Sequence, residues 1–434
     1  MYKSSLFIVI ILMVSCSPQK KITDMDSIAE KFVKLVLRVG QYNSAVVDAY
    51  YGPEEWKPVE LTEKQKSNFP ADDFISQVEE LQNDLTYIES AKLSDEGKMR
   101  KIFLSKQVTA IKTRIEMIAG KKYNFDEESK LLYDGIAPHL EQKHFAEILS
   151  ELDNLLPGKE DVAKRFEDYR NQFIIPIEKL DTVFMTAIEE GRKRTLKYIP
   201  LPEKENFVVE YVKNKSWGAY NWYKGNSFSV IQVNTDLPVY IDRAVDLACH
   251  EGYPGHHVYN MLLEKNLLKE RKWMEFSIYP LFSPTSLIAE GTANYGINVA
   301  FPGEERIKYE KEYLFPLAGL DATKAEEYYE ILHLVEKLNF ARNEASRKYY
   351  DDEFTKDELQ NWLVKYCLYT PNKAAKSVDF IDYYGSYVIN YNYGQQLVKD
   401  YVESRGGTKD NHEKRWEIFT DLISRPYTPA DLKN

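Results

Sequence analysis

The sequence predicts a mostly α-helical fold with one small antiparallel β-sheet, on three observations. Glycine and proline are scarce, at 19 and 18 of 434 residues. Apolar residues recur at helical spacing along most of the chain. β-Branched and aromatic residues gather between about 207 and 233, with turn-forming residues between the two runs.

Taken in order, the N-terminus reads as an export signal. One basic residue, Lys3, precedes an apolar run from Leu6 to Val14, too short to span a bilayer. Met13-Val14-Ser15-Cys16 resembles a bacterial lipobox. The resemblance implies removal of residues 1–15, a diacylglycerol on Cys16, and anchorage of the exported protein to the cell envelope. Residues 16–22 then form a tether, and 23–434 a single helical domain that divides, if at all, into lobes of about 23–200 and 201–434.

Ile28, Phe32, Leu35, Val36 and Val39 mark a first helix, and Phe74, Val78, Leu81 and Leu85 a second. Ile102, Val108, Ile111, Ile115 and Ile118 continue the pattern, and two further helices between Asp161 and Tyr198 break near Pro176. The texture then changes. Phe207–Val212 and Ser227–Val233 read as strands, with turns at 217–220 and 224–226. Ser227–Val233 is a candidate edge for pairing with an extended peptide. A helix opened by Pro238 carries Ile241, Ala244, Val245 and Ala248 into His250. Ser283-Pro284 reads as N-cap and first turn of the next helix. The stretch from Glu304 to Leu432 is again helical.

Composition narrows the function. The formal charge is −11 and no basic stripe is present, which argues against a nucleic-acid partner. Besides Cys16, Cys249 and Cys367 are too few for a disulfide framework. There is no glycine-rich phosphate loop, serine-nucleophile elbow or paired-cysteine deaminase motif. Tyr220-Asn221-Trp222-Tyr223 reads as core packing before it reads as a sugar-binding surface.

One segment concentrates the chemistry. His250-Glu251-Gly252-Tyr253-Pro254-Gly255-His256-His257 holds three of the seven histidines. Zinc hydrolases place two histidines at i and i+4 of a helix, with glutamate at i+1. Here Pro254 occupies i+4. At ~100° per residue an unbroken helix would put His257 near the face of His250 and His256 roughly 120° away. Pro254, however, lacks an N–H and collides with the carbonyl four residues back. A kink or bulge is therefore expected, bringing His256 or His257 to the metal. Glu290 is the candidate third ligand, a charge in an otherwise small and apolar segment. Asp246 is either an orienting partner for His250 or a surface contact.

These residues resemble the bacterial family called domain of unknown function 885, itself thought to be related to helical gluzincin metallopeptidases. The resemblance rests on His250–His257 and on Glu290-Gly291-Thr292-Ala293-Asn294-Tyr295. The family's second helix usually has tryptophan and leucine where Thr292 and Asn294 stand. Tyr391-Asn392-Tyr393-Gly394 matches a C-terminal Tyr-x-x-Gly element. A histidine that often follows an arginine resembling Arg342 is missing, since none occurs between His333 and His412.

The resemblance implies a cleft-containing, metallopeptidase-like helical fold and one Zn2+ per chain. His250, Glu290 and His256 or His257 would be its ligands. Glu251 would act as general base and Tyr391 as oxyanion donor, with Tyr393 and Tyr295 next in line. The substrate would be a peptide or a small amide. A non-peptide amide or ester hydrolase and a non-catalytic, zinc-containing binding lipoprotein are the alternatives.

Overall fold

The computed structural model describes residues 24–215 and 217–433. The signal segment 1–15 and all but the end of the tether read above lie outside the described residues. The fold is about 66% helical. No helix among the described residues is long and apolar enough to cross a membrane.

The first helix, Met25–Gly40, starts where Asp24 accepts a hydrogen bond from the Ser27 amide at 2.8 Å. It buries Ile28, Phe32, Leu35, Val36 and Val39 against the helices Ala71–Tyr87 and Asp95–Ile118. Each such side chain contributes about 1.5–3 kcal/mol when removed from water, which a lone helix lacks. Ile102 departs from the expected pattern and is exposed. A second and larger cluster runs from Phe103 to Leu432, so the apolar core is continuous across residue 200. Asp161 caps Val162–Arg170, and Pro176 immediately precedes Ile177–Thr195, so the expected break is present.

The sheet elements differ from expectation in three ways. A strand, β1 (Val47–Tyr50), interrupts the N-terminal helical region and pairs antiparallel with β5 (Ile278–Pro280). Neither was legible, because strands this short show almost no period-2 pattern. Second, the segment expected as a turn contains β3 (Ala219–Tyr223), between β2 (Asn206–Val212) and β4 (Phe228–Asn234). Third, the sheet is mixed, with order β2-β4-β3. β3 and β4 form an antiparallel hairpin around Gly225, Asn226 and Ser227, all at positive φ. That hairpin fills one side of β4, so β2 takes the other side and runs parallel to it. β4 is therefore central, and the expected peptide pairing along its edge is excluded. The free edges belong to β2 and β3.

Two helices carry the C-terminal half of the site. Pro284–Ala300 begins at Ser283-Pro284 as expected, although the Ser283 hydroxyl donates to the Pro280 carbonyl at 2.7 Å. It packs against Ile389–Ser404 at unusually close range. A Cβ on Gly291 would lie 2.5 Å from the Gly394 carbonyl group, and one on Gly394 would lie 2.7 Å from the Leu287 carbonyl oxygen. The glycines of Glu290-Gly291 and of Tyr391-x-x-Gly394 are thus one contact, in which two backbones touch. Gly291→Ala should push these helices apart and cost about 1–3 kcal/mol, by analogy with core overpacking. Chemical denaturation against wild type reads this as a lower midpoint; an unchanged midpoint would mean that the helices do not need the contact.

Candidate metal centre

The helix Ile241–Leu247 runs into a π-helical turn, Ala248–Gly252. Because Pro254 has no N–H, the ordinary i→i−4 bond to His250 is not available. The chain instead widens. Tyr253 N donates to Ala248 O at 3.1 Å, and Gly255 N to Cys249 O at 2.9 Å. A Cβ on Gly255 would lie 2.0 Å from the His250 carbonyl oxygen, so this turn requires glycine. A new helix, His256–Leu263, starts directly afterwards. The extra residues wound into this turn carry His256 to the face of His250.

His250 Nε2 and His256 Nε2 lie 3.1 Å apart. Glu290 Oε2 is 3.3 Å from the first and 3.7 Å from the second. These three are the one group of possible metal ligands found among the described residues, all within 4.8 Å of one another. His257 is not among them. Its Nδ1 faces the Ser229 hydroxyl at 2.7 Å and its Nε2 faces Glu205 at 3.0 Å, with no exposed surface. One residue beyond His256, it points into the protein beneath the sheet.

Protonation states follow from the partners. Asn294 donates through Nδ2 to the Tyr391 carbonyl at 2.8 Å, which turns its Oδ1 towards His250 Nδ1 at 3.0 Å. An amide oxygen only accepts, so Nδ1 carries the proton and His250 Nε2 presents a lone pair. Glu290 Oε2 is buried with no hydrogen-bond partner. Burial alone would raise Glu290, but its contacts to His250 and His256 hold it well below the usual carboxylate range. A proton on His256 satisfies one of these acceptors and leaves the others facing each other. A divalent cation satisfies all three, and two imidazoles with one carboxylate suit zinc. The residues fit a metal.

The surroundings hold this set in place. Tyr387 donates to Glu290 Oε1 at 2.9 Å. Sequence reasoning missed Tyr387, whose only signal is its spacing of four from Tyr391. Glu251 is buried, and its carbonyl accepts from Asn221 of β3 at 2.6 Å. Burial pushes the Glu251 carboxyl up, against the opposing charges of His250 and His256. Burial, then the negative charge of Glu290, holds the Tyr391 hydroxyl well above its ordinary value. It is therefore a proton donor near both glutamates. Asp48, also missed, lies close enough to feel His256 and Glu290, and its carboxylate accepts from the Tyr220 hydroxyl.

Other expectations resolve differently. Tyr295 reaches Glu403 and Tyr393 packs under Lys433, so neither approaches the cluster. Asp246 pairs with Arg243 and Arg306, both at 2.8 Å, and does not orient His250. Thr292 is buried and bonds back to its own helix at Ile288 O. Tyr220 to Tyr223 are occupied by Asp48, the Glu251 carbonyl, Gln232 and Glu264, so this run does not form a sugar platform. Cys249 is free and buried.

Comparison with known proteins yields likenesses of structure. No protein-family model and no curated protein matches the chain. A protein of Colwellia psychrerythraea named as a lipoprotein is similar over 95% of this chain and 73% of its own, at 15% identity and TM-score 0.51. M32 carboxypeptidase from Deinococcus radiodurans R1 is similar over 94% and 92%, at 12% identity and TM-score 0.49. A lipoprotein of unknown function from Shewanella oneidensis is similar over 81% and 72%, at 12% identity and TM-score 0.41. The first of these shares the fold.

Glu205 is the hub of the layer beneath the cluster. It accepts from His257, Tyr253 and Arg192. Burial would raise its pKa, but those three hydrogen bonds hold it below the usual range. Glu205→Ala strips buried His257 and Tyr253 of their acceptor and should cost about 3–5 kcal/mol. Arg192→Met, at a half-exposed partner, should cost under about 1 kcal/mol. Equal losses for the two in denaturant titrations would show that His257 does not depend on Glu205.

Proposed function

We propose that the chain is a zinc-dependent hydrolase, a metallopeptidase cleaving peptide bonds, with His250, His256 and Glu290 as metal ligands. The observation that carries this reading is the orphaned, buried Oε2 of Glu290 facing two imidazole nitrogens. When bound, zinc supplies Lewis acidity: it polarises a scissile carbonyl and acidifies water. Glu251 takes the proton of the attacking water and returns it to the leaving amine. Its low exposure favours this role, because a desolvated carboxylate is a stronger base. Tyr391, kept protonated, donates to the developing oxyanion. Asn294 fixes the His250 tautomer and Tyr387 fixes the Glu290 carboxylate, as outer partners of metal ligands do.

The substrate in this reading is a peptide or a small amide, and nucleic acid is not a partner. The protein works in the bacterial envelope, exported and held to the membrane by a lipid on Cys16. The Met13–Cys16 segment supports that placement.

Metal content by mass spectrometry tests the ligand set. Wild type should carry about one zinc per chain. His250→Ala, His256→Gln and Glu290→Ala should lose it, while the folded fraction of His257→Gln keeps it. Retention in His256→Gln with loss in His257→Gln would reverse the assignment. Glu251→Gln should keep zinc and lose about 10²–10⁴-fold in peptide hydrolysis. A wild-type protein that takes up no zinc sinks the hydrolase reading.

A further inference from the structure

The wall beside Glu290 is aromatic and ends in unneutralised positive charge. Tyr387, bonded to Glu290, packs 5.8 Å from Tyr391. Phe380 lies 6.3 Å from Tyr387 and 6.4 Å from Tyr391. Over Phe380, at 4.7 Å from the ring centroid, sits the Arg342 guanidinium. Its Nε is buried and has no hydrogen-bond partner, and no carboxylate pairs with the side chain among the described residues. The Lys373 ammonium lies 4.0 Å from the Tyr369 ring centroid and makes no ion pair there either. Lys373 is exposed as a residue, yet loss of water around its ammonium and then the charges of Arg170, Arg243 and Arg342 push it down to about 7.

Both cations could have been neutralised cheaply in this chain. Acidic residues outnumber basic ones, 68 to 57, and the neighbouring arginines have partners. Arg170 pairs with Asp242 at 2.9 Å, and Arg243 with Asp246 at 2.8 Å. Arg114 also has a buried, unbonded Nε, but it stacks on Phe282 and feels the negative charge of Glu128. Arg342 instead acts on Tyr391, which also feels Glu290 and Glu251. An unpaired guanidinium offers a planar fork of donors matched to a carboxylate, and a second cation beside it strengthens the hold.

We propose that Arg342, with Lys373 beside it, is a carboxylate-binding subsite adjoining the candidate metal centre. The substrate is then a peptide with a free carboxylate within reach of the scissile bond, either its C-terminus or an acidic side chain. The aromatic wall from Phe380 to Tyr391 covers the apolar part of the residue that bears it. This inference rests on the metallopeptidase reading for what happens next, but binding is measurable without turnover.

The test is calorimetric binding to zinc-supplemented Glu251→Gln protein. The probes are an N-acetylated Phe-Phe dipeptide acid, its C-terminal amide, and N-acetylated Phe-Glu amide. The acid, the Glu-amide or both should bind at least about 10-fold tighter than the Phe-Phe amide. Tight binding of the acid alone assigns the C-terminus, and of the Glu-amide alone an acidic side chain. The gap should vanish with Arg342→Met and shrink with Lys373→Met, whose exposed site leaves folding intact. Equal binding of all three probes, no binding of any, or a gap that survives both substitutions overturns the subsite. Failure of the metallopeptidase reading is a different result: no zinc uptake, or no peptide cleavage by wild type, with the Arg342-dependent gap still present.

Discussion

The site depends on a turn that one proline and one glycine force on the chain. Pro254 removes the amide that would have continued the helix through His250, and Gly255 presses against the carbonyls that this frees. The Gly255 amide then bonds to Cys249 O and satisfies one of them. Everything that follows is phased by this turn. His256 comes beside His250, and His257 goes inward to Glu205 and Ser229. The imperfect match to a two-histidine helix motif is thus a different route to the same convergence of ligands. The backbone wraps further, so the second ligand sits six residues on instead of four.

A second close approach brings the third ligand. Gly291 and Gly394 let two helices meet backbone to backbone, which places Glu290 opposite the histidines and Tyr387 behind it. Without that contact the Glu290 carboxylate would have neither its buried setting nor its hydrogen bond. Asn294, one turn further along the same helix, closes the circuit. It accepts from His250 and donates to the Tyr391 carbonyl, tying the metal helix to the C-terminal one. The polar residue that departs from the family pattern at this position has a partner on each side.

Electrostatics reinforce this geometry at a cost. Buried Glu290, Glu251 and Asp48 lie around the imidazoles, and each carboxylate raises the pKa of its neighbours or is raised by burial. Such a concentration of negative groups persists because rigid surroundings hold it, and it suits a cation. Positive charge stands at the other end of the aromatic wall, on Arg342 and Lys373. Substrate polarity is the property on which these two poles act.

Much of the outline was legible in residues. Helical periodicity identified the first, third and fourth long helices, because burial of one stripe imposes its spacing on sequence. His250, Glu251 and Glu290 stood out because charged and ligating groups in apolar surroundings need a reason. Sequence also marked Pro254 as a break, since the missing amide is a local fact. It left His256 and His257 open, because the sum of several unusual dihedrals decides which side of a broken helix faces inward. The direction of β2, the central place of β4 and the role of Tyr387 were likewise hidden. So were Asp48 and the Gly291–Gly394 contact. These depend on what lies across a gap from residues tens to hundreds of positions away, and only packing in three dimensions fixes that.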